Sequence, residues 1–84
     1  MKVINDITSK YADKGVSLSF SILEDELVLI QGSKVSLEFL GNLLLTLASS
    51  SDESSVQLSP RGAGKHFFDD QSKLGLYLNK VEPT

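Results

Sequence analysis

The strict alternation of residues 16–23 constrains the fold of this chain more than any other feature. The segment reads Val-Ser-Leu-Ser-Phe-Ser-Ile-Leu, so apolar side chains alternate with serines. Successive side chains of a β-strand point to opposite faces, and Val16, Leu18, Phe20 and Ile22 therefore share one face. The pattern predicts a half-buried strand whose serine face is wet.

A second strand is predicted directly after the first. Residues 27–31 begin with four consecutive apolar residues, so this strand would have apolar side chains on both faces. Between the two strands stands the acidic segment Glu24-Asp25-Glu26, whose three residues suit a hairpin loop. The two segments together predict an antiparallel hairpin.

Two helices are predicted, one on each side of this hairpin in the chain. Residues 5–14 form a short helix that Asn5 or Asp6 would cap and that Gly15 would end. Ser33 would cap a second helix over residues 34–48. Its apolar stripe consists of Leu37, Leu40, Leu44 and Leu47, and it is widened by Phe39, Leu43 and Leu45. A helix so apolar is either deeply buried or partly covered by another subunit.

The rest of the chain adds two short strands. Residues 49–55 form a polar loop, 56–59 a short strand, and 66–68 a strand or a loop anchored by aromatic rings. The final strand is predicted over residues 74–81. The element order is then α-β-β-α-β-β, and the predicted class is α+β, with two helices on one face of a mostly antiparallel sheet of about four strands.

Length and composition favour a single small domain spanning residues 1–84. The chain has 40% hydrophobic residues, no cysteine and a formal net charge of −3. Disulfides and thiolate metal sites are therefore excluded. No apolar run approaches the roughly 20 residues of a membrane span, and the first residues lack the apolar segment of a secretory signal. We expect a cytoplasmic protein that does not interact with membranes.

The sequence contains no motif that predicts catalysis or a cofactor. The stretch Gly62-Ala63-Gly64-Lys65 departs from a phosphate-binding loop, because Ser59 stands at the first glycine position and His66 at the hydroxyl position. His66 is the one histidine, so a metal site would depend on Asp69 or Asp70 as further ligands. No serine lies in a nucleophile elbow. We expect no enzyme, no metal and no cofactor.

Nucleic-acid binding is a second alternative function. Arg61, Lys65 and Lys73 lie close in sequence to Phe67 and Phe68, and such aromatic rings can stack on bases while cations contact phosphates. Three cations are few, and the acidic balance of the chain opposes binding to a polyanion. A nucleic-acid partner is therefore not expected.

Seven acidic residues are the candidate partner-binding residues. They fall in three groups along the chain: Glu24, Asp25 and Glu26; Asp52 and Glu53; Asp69 and Asp70. Such groups are usually solvated surface. Their functional interpretation is a docking face for a basic protein, because complementary charge steers association.

Two stretches of the chain resemble one group of small bacterial immunity proteins, which are encoded beside polymorphic toxins and neutralise them. The stretches are residues 32–48, Gly-Ser-Lys-Val-Ser-Leu-Glu-Phe-Leu-Gly-Asn-Leu-Leu-Leu-Thr-Leu-Ala, and 66–78, His-Phe-Phe-Asp-Asp-Gln-Ser-Lys-Leu-Gly-Leu-Tyr-Leu. The resemblance extends over residues 27–81. It implies stoichiometric inhibition of a basic toxin domain without any chemistry by this chain. The alternative is a structural or regulatory homodimer, paired through helix 34–48 or a strand edge.

Overall fold

The computed structural model describes residues 3–24, 26–51 and 54–81. In chain order the elements are α1 (Val3–Tyr11), β1 (Leu18–Glu24), β2 (Leu27–Gly32), α2 (Lys34–Ser49), β3 (Ser55–Leu58), a 3-10 turn (Lys65–Phe67) and β4 (Leu76–Asn79). The predicted α+β class and the order of helices and strands are confirmed. The segment 66–68, predicted as a strand or a loop, belongs mainly to the 3-10 turn.

The described strands form two antiparallel sheets of two strands each, whereas the sequence predicted one sheet of about four strands. β1 pairs with β2, and β3 pairs with β4. Between the two sheets, residues 68–74 run beside β1 without forming a ladder, because Phe20 N–H donates to the side-chain oxygen of Ser72 at 2.9 Å rather than to a backbone carbonyl. A single parallel bridge, Leu18 to Phe68, is the β-type pairing there.

The first sheet is a regular hairpin for most of its length. Leu18 pairs with Gly32, Phe20 with Ile30 and Ile22 with Val28, and a bulge between Ile22 and Glu24 shifts the register near the turn. Leu18 and Phe20 are buried. Only the half of the hairpin near the start of β1 therefore contributes to the core.

The buried side of α2 differs from the predicted stripe. Ser36, Phe39, Leu43 and Leu47 are buried, whereas Leu37 and Leu44 are about half exposed. A hydrogen-bond network selects this side: the Ser36 side-chain oxygen accepts the Ser17 N–H at 2.8 Å and lies 2.9 Å from the Ser33 side-chain oxygen, which caps the helix. An apolar pattern cannot find a buried face that begins with a serine. Of the predicted stripe, Leu47 is buried, and Leu37 and Leu44 lie at the edge of the buried face.

Aromatic rings from three elements form the centre of the core. Phe39 of α2 stacks on Phe67 at 4.4 Å between ring centroids and lies 5.4 Å from the ring of Tyr11 on α1. The Tyr11 hydroxyl accepts a hydrogen bond from Asn42 at 2.7 Å, so this buried polar group is satisfied. Phe20 and Phe68 pack together at 5.8 Å and connect this centre to the hairpin.

Candidate protein-binding surface

The apolar face of the hairpin continues from the core into solvent. Phe20 is 5% exposed, but Ile30, its partner across the hairpin, is 43% exposed. Two residues further along, Ile22 and Val28 are 65% and 59% exposed. Directly opposed side chains in an antiparallel pair lie on the same face, so Ile22, Val28 and Ile30 form one exposed surface. We call these three side chains the hairpin patch.

The hairpin patch exists because the hairpin is longer than the core beneath it. β1 has seven residues, and its burial ends at Phe20 and Ser21. Leu23 and Leu27, at the end of the hairpin, are also more than half exposed. Single exposed apolar residues are common, but a contiguous group on one element is typical of an interaction site.

Carboxylates border the hairpin patch at the turn. Glu24 and Glu26 are exposed, and the predicted binding residue Asp25 lies outside the described residues. The turn thus presents at least two negative charges next to apolar side chains. A partner that covered both features would need basic groups around an apolar surface.

The outer edge of β2 is open. The N–H and C=O groups of Phe20 both point away from β2. The N–H donates to the Ser72 hydroxyl, and the C=O accepts from the N–H groups of Lys73 and Leu74, both at 3.1 Å. The Phe20–Ile30 pair is therefore a non-hydrogen-bonded pair of the hairpin, and Ile30 directs its own N–H and C=O to the opposite edge of β2. By the same alternation Val28 does so too. No described residue hydrogen-bonds to these groups at that edge.

Asp69 has a structural role in a turn over residues 69–72. Its N–H donates to the Leu18 carbonyl at 2.7 Å, and its side-chain oxygen accepts the Gln71 N–H at 2.6 Å. The Ser72 N–H donates to the Asp69 carbonyl at 3.0 Å, which closes the turn. A carboxylate bound in its own turn is held by the fold.

The structure keeps Asp69 apart from the acidic hairpin turn. Asp69 lies beside Leu18, and Glu24 is six positions further along β1, about 20 Å at 3.3 Å per residue. Asp70 is exposed next to Asp69. Asp52 and Glu53 lie outside the described residues. The hairpin turn is thus the acidic group that borders a large exposed apolar surface.

The basic region has no free aromatic surface. Arg61, Lys65 and His66 line an open cleft of about 480 Å³ together with Asp69 and Asp70. Phe67 and Phe68 are both buried, so neither ring is available for stacking on a base. The two phenylalanine rings that suggested nucleic-acid binding in the sequence therefore belong to the core.

The glycine loop uses its own backbone donors. The Gly62 N–H donates to the Ser59 carbonyl at 3.2 Å, the Lys65 N–H to the Gly62 carbonyl at 3.1 Å, and the Phe67 N–H to the Gly64 carbonyl at 2.9 Å. A phosphate-binding loop needs such N–H groups free to contact the anion.

Among the described residues, no group of three or more His, Cys, Asp or Glu side chains is placed to hold a metal ion.

Three leucines of α2 form a second exposed apolar surface. Leu37 and Leu44 are seven residues apart and therefore lie on the same side of the helix, and Leu45 is next to Leu44. This is the helix that sequence reasoning proposed for dimerisation. Within residues 3–24, 26–51 and 54–81, no pair of carboxylates like Glu24 and Glu26 borders this surface.

Sequence reasoning missed the hairpin patch, although a signal was present. The alternation in β1 predicted Ile22 in the core, because alternation alone does not say where the core ends. The composition of β2 was the better signal: a strand with apolar residues on both faces cannot bury both of them in a two-stranded sheet.

The chain matches no protein-family model, and neither curated proteins nor solved structures include a significant match to it. In the described part of the chain, no helix is long and apolar enough to cross a bilayer. The surface itself therefore carries the functional argument.

Proposed function

We propose that this chain is a non-catalytic protein-binding domain whose hairpin contacts a basic partner protein. The observation that carries the proposal is the hairpin patch, where Ile22, Val28 and Ile30 are exposed side by side on an ordered strand pair. Burial of such side chains against a partner would contribute roughly 25 cal/mol for each Å² removed from water.

Charge supports the choice of a basic partner. Glu24 and Glu26 border the patch, and the whole chain has a net charge of −3. Exposed carboxylates at the rim of an apolar contact raise the association rate with a positively charged surface and add little to the affinity itself. We expect the apolar side chains to determine the dissociation rate and the carboxylates to determine the association rate.

The resemblance to immunity proteins names the kind of partner that we propose. Many toxin domains that act on nucleic acid are basic, and a small acidic protein could block such a domain by covering its active site or an adjacent surface. This role requires a stable surface and no chemistry. It is consistent with the exposed hairpin.

The test is affinity capture from a lysate of the source organism with three baits. These are the wild-type chain, the hairpin variant Ile22→Thr/Val28→Thr and the control variant Leu45→Thr. Threonine keeps the β-branched shape in the strands, and all three substituted positions are exposed. The captured protein is then expressed alone and together with each bait.

We expect one stoichiometric partner that is retained by the wild type and by Leu45→Thr and lost by the hairpin variant. It should be toxic when expressed alone, and only the baits that retain it should relieve the toxicity. Equal capture by the hairpin variant, or no stoichiometric partner at all, would overturn the proposal. A partner that is captured through the hairpin but is not toxic would overturn the toxin assignment alone.

A further inference from the structure

We infer that a second copy of this chain pairs with the open edge of β2, so that the two hairpins form one continuous four-stranded antiparallel sheet. This inference concerns the chain in the absence of a partner and does not rest on the proposed function. The second copy would occupy the backbone edge of β2 and leave the side chains of the hairpin patch exposed.

The backbone of β2 supplies the pairing groups. The N–H and C=O groups of Val28 and Ile30 point to the outer edge, as the Phe20–Ile30 pairing requires. Natural edge strands are usually protected by lysine, proline or a covering element. The strand Leu27–Gly32 contains neither lysine nor proline, and five of its six residues are exposed.

Two-fold symmetry makes this edge complementary to itself. In an antiparallel pair of identical strands centred on Leu29, Val28 of one copy stands opposite Ile30 of the other, and both residues present outward-pointing donors and acceptors. Side chains of directly opposed residues share a face. The two hairpin patches would therefore merge into one apolar face that spans both copies.

Charge at the two ends of β2 favours the same arrangement. The strand is preceded by the exposed residue Glu26 and followed, after Ser33, by the exposed residue Lys34 at the start of α2. Antiparallel pairing places the acidic end of each strand beside the Lys34 end of its partner. Parallel pairing would instead place like charges together, and it would not close as a two-fold dimer.

The first test is the mass of the full chain by sedimentation velocity over a range of concentrations. We expect a species of twice the 9.1 kDa mass of one chain. The variant Ile30→Pro removes an N–H that the hairpin does not use and so leaves the β1–β2 ladder intact. Its circular dichroism should match the wild type, and it should be monomeric at every concentration.

The second test exchanges the charges at the two ends. Lys34→Glu places like charges at both contacts of the dimer, and so does Glu24→Lys/Glu26→Lys. Each variant alone should be monomeric, and an equimolar mixture should form a heterodimer. All three positions are exposed, so loss of the fold would not explain this pattern.

The outcomes separate this inference from the proposed function. A wild-type chain that is monomeric at all concentrations overturns the dimer, while the capture experiment still decides whether a partner binds. A dimer that survives in Ile30→Pro, or a mixture of the charge variants that stays monomeric, also overturns pairing through the β2 edge. Such a dimer would form through another surface, for which the exposed leucines of α2 are available.

Discussion

Ile22 and Val28 face each other across the hairpin, and both are more than half exposed. Two residues nearer the core, Phe20 on the same face is almost completely buried. One end of the hairpin, at Phe20, is therefore packed in the core, and the other end, at Ile22 and Val28, is exposed to solvent. This division explains how a small domain can hold an exposed apolar surface on an ordered strand pair.

The orientation of α2 can be tested by two substitutions of the same kind. Leu43→Ala removes a fully buried side chain and should lower the free energy of unfolding by about 2–5 kcal/mol. Leu45→Ala removes an exposed one and should change it by less than about 0.5 kcal/mol. Urea denaturation measures both values. Equal costs at the two positions would contradict the buried face described here.

Ser72 should be essential for the attachment of residues 68–74 to β1. Its buried hydroxyl accepts from the Phe20 N–H and donates to the Leu74 carbonyl, both at 2.9 Å. Ser72→Ala leaves a buried donor without a partner and should lower the free energy of unfolding by about 1–3 kcal/mol. The exposed Ser51→Ala is the control. A Ser72 variant as stable as this control would show that the hydroxyl does not matter.

Two glycines should respond to alanine in opposite directions. At Gly32 an added Cβ would lie 2.8 Å from the Ser36 Cβ and 3.1 Å from a Leu18 methyl group, so Gly32→Ala should cost about 1–3 kcal/mol of stability. At Gly41, inside α2, nothing lies within 4 Å of the added atom. Gly41→Ala should stabilise the protein by about 0.5–1 kcal/mol, because alanine favours the helix. Thermal unfolding of the two variants would reveal any disagreement in sign.

The carboxylates of the hairpin turn should act on the rate of partner association. Replacement of Glu24 and Glu26 by glutamine should slow association with the captured partner and flatten its dependence on salt, while dissociation changes little. Asp13→Asn removes an exposed carboxylate before β1 begins and serves as the control. Stopped-flow kinetics at several salt concentrations measures the effect. An unchanged salt dependence in the glutamine variant would remove these residues from the contact.

The sequence predicts the helices and strands of this fold better than it predicts which of their faces are buried and how the strands pair. Alternation located β1, and the capping serine and the leucine content located α2, because these are local properties of the backbone. The buried face of α2 depends instead on Ser36 and its bond to the distant Ser17 N–H. The division into two sheets depends on the Ser72 hydroxyl, which interrupts pairing beside Phe20. Neither contact has a local sequence signal.

The candidate surface was only partly accessible to sequence reasoning for the same reason. Glu24 and Glu26 were predicted as contact residues from their charge alone, and whether they bind a partner stays a prediction. Ile22 was assigned to the core, because a period of two identifies a face and says nothing about how far the core extends beneath it. The length of the hairpin relative to its core is a tertiary property.

The solvent exposure of the hairpin patch tests the central claim most directly. In the free chain, the methyl groups of Ile22, Val28 and Ile30 face solvent, and a soluble paramagnetic probe should broaden their NMR signals. In the chain bound to its partner, these methyl groups should be protected from the probe, because the partner covers them. Protection of the exposed leucine methyl groups of α2, with the hairpin patch still broadened, would contradict the assignment of the hairpin as the binding surface.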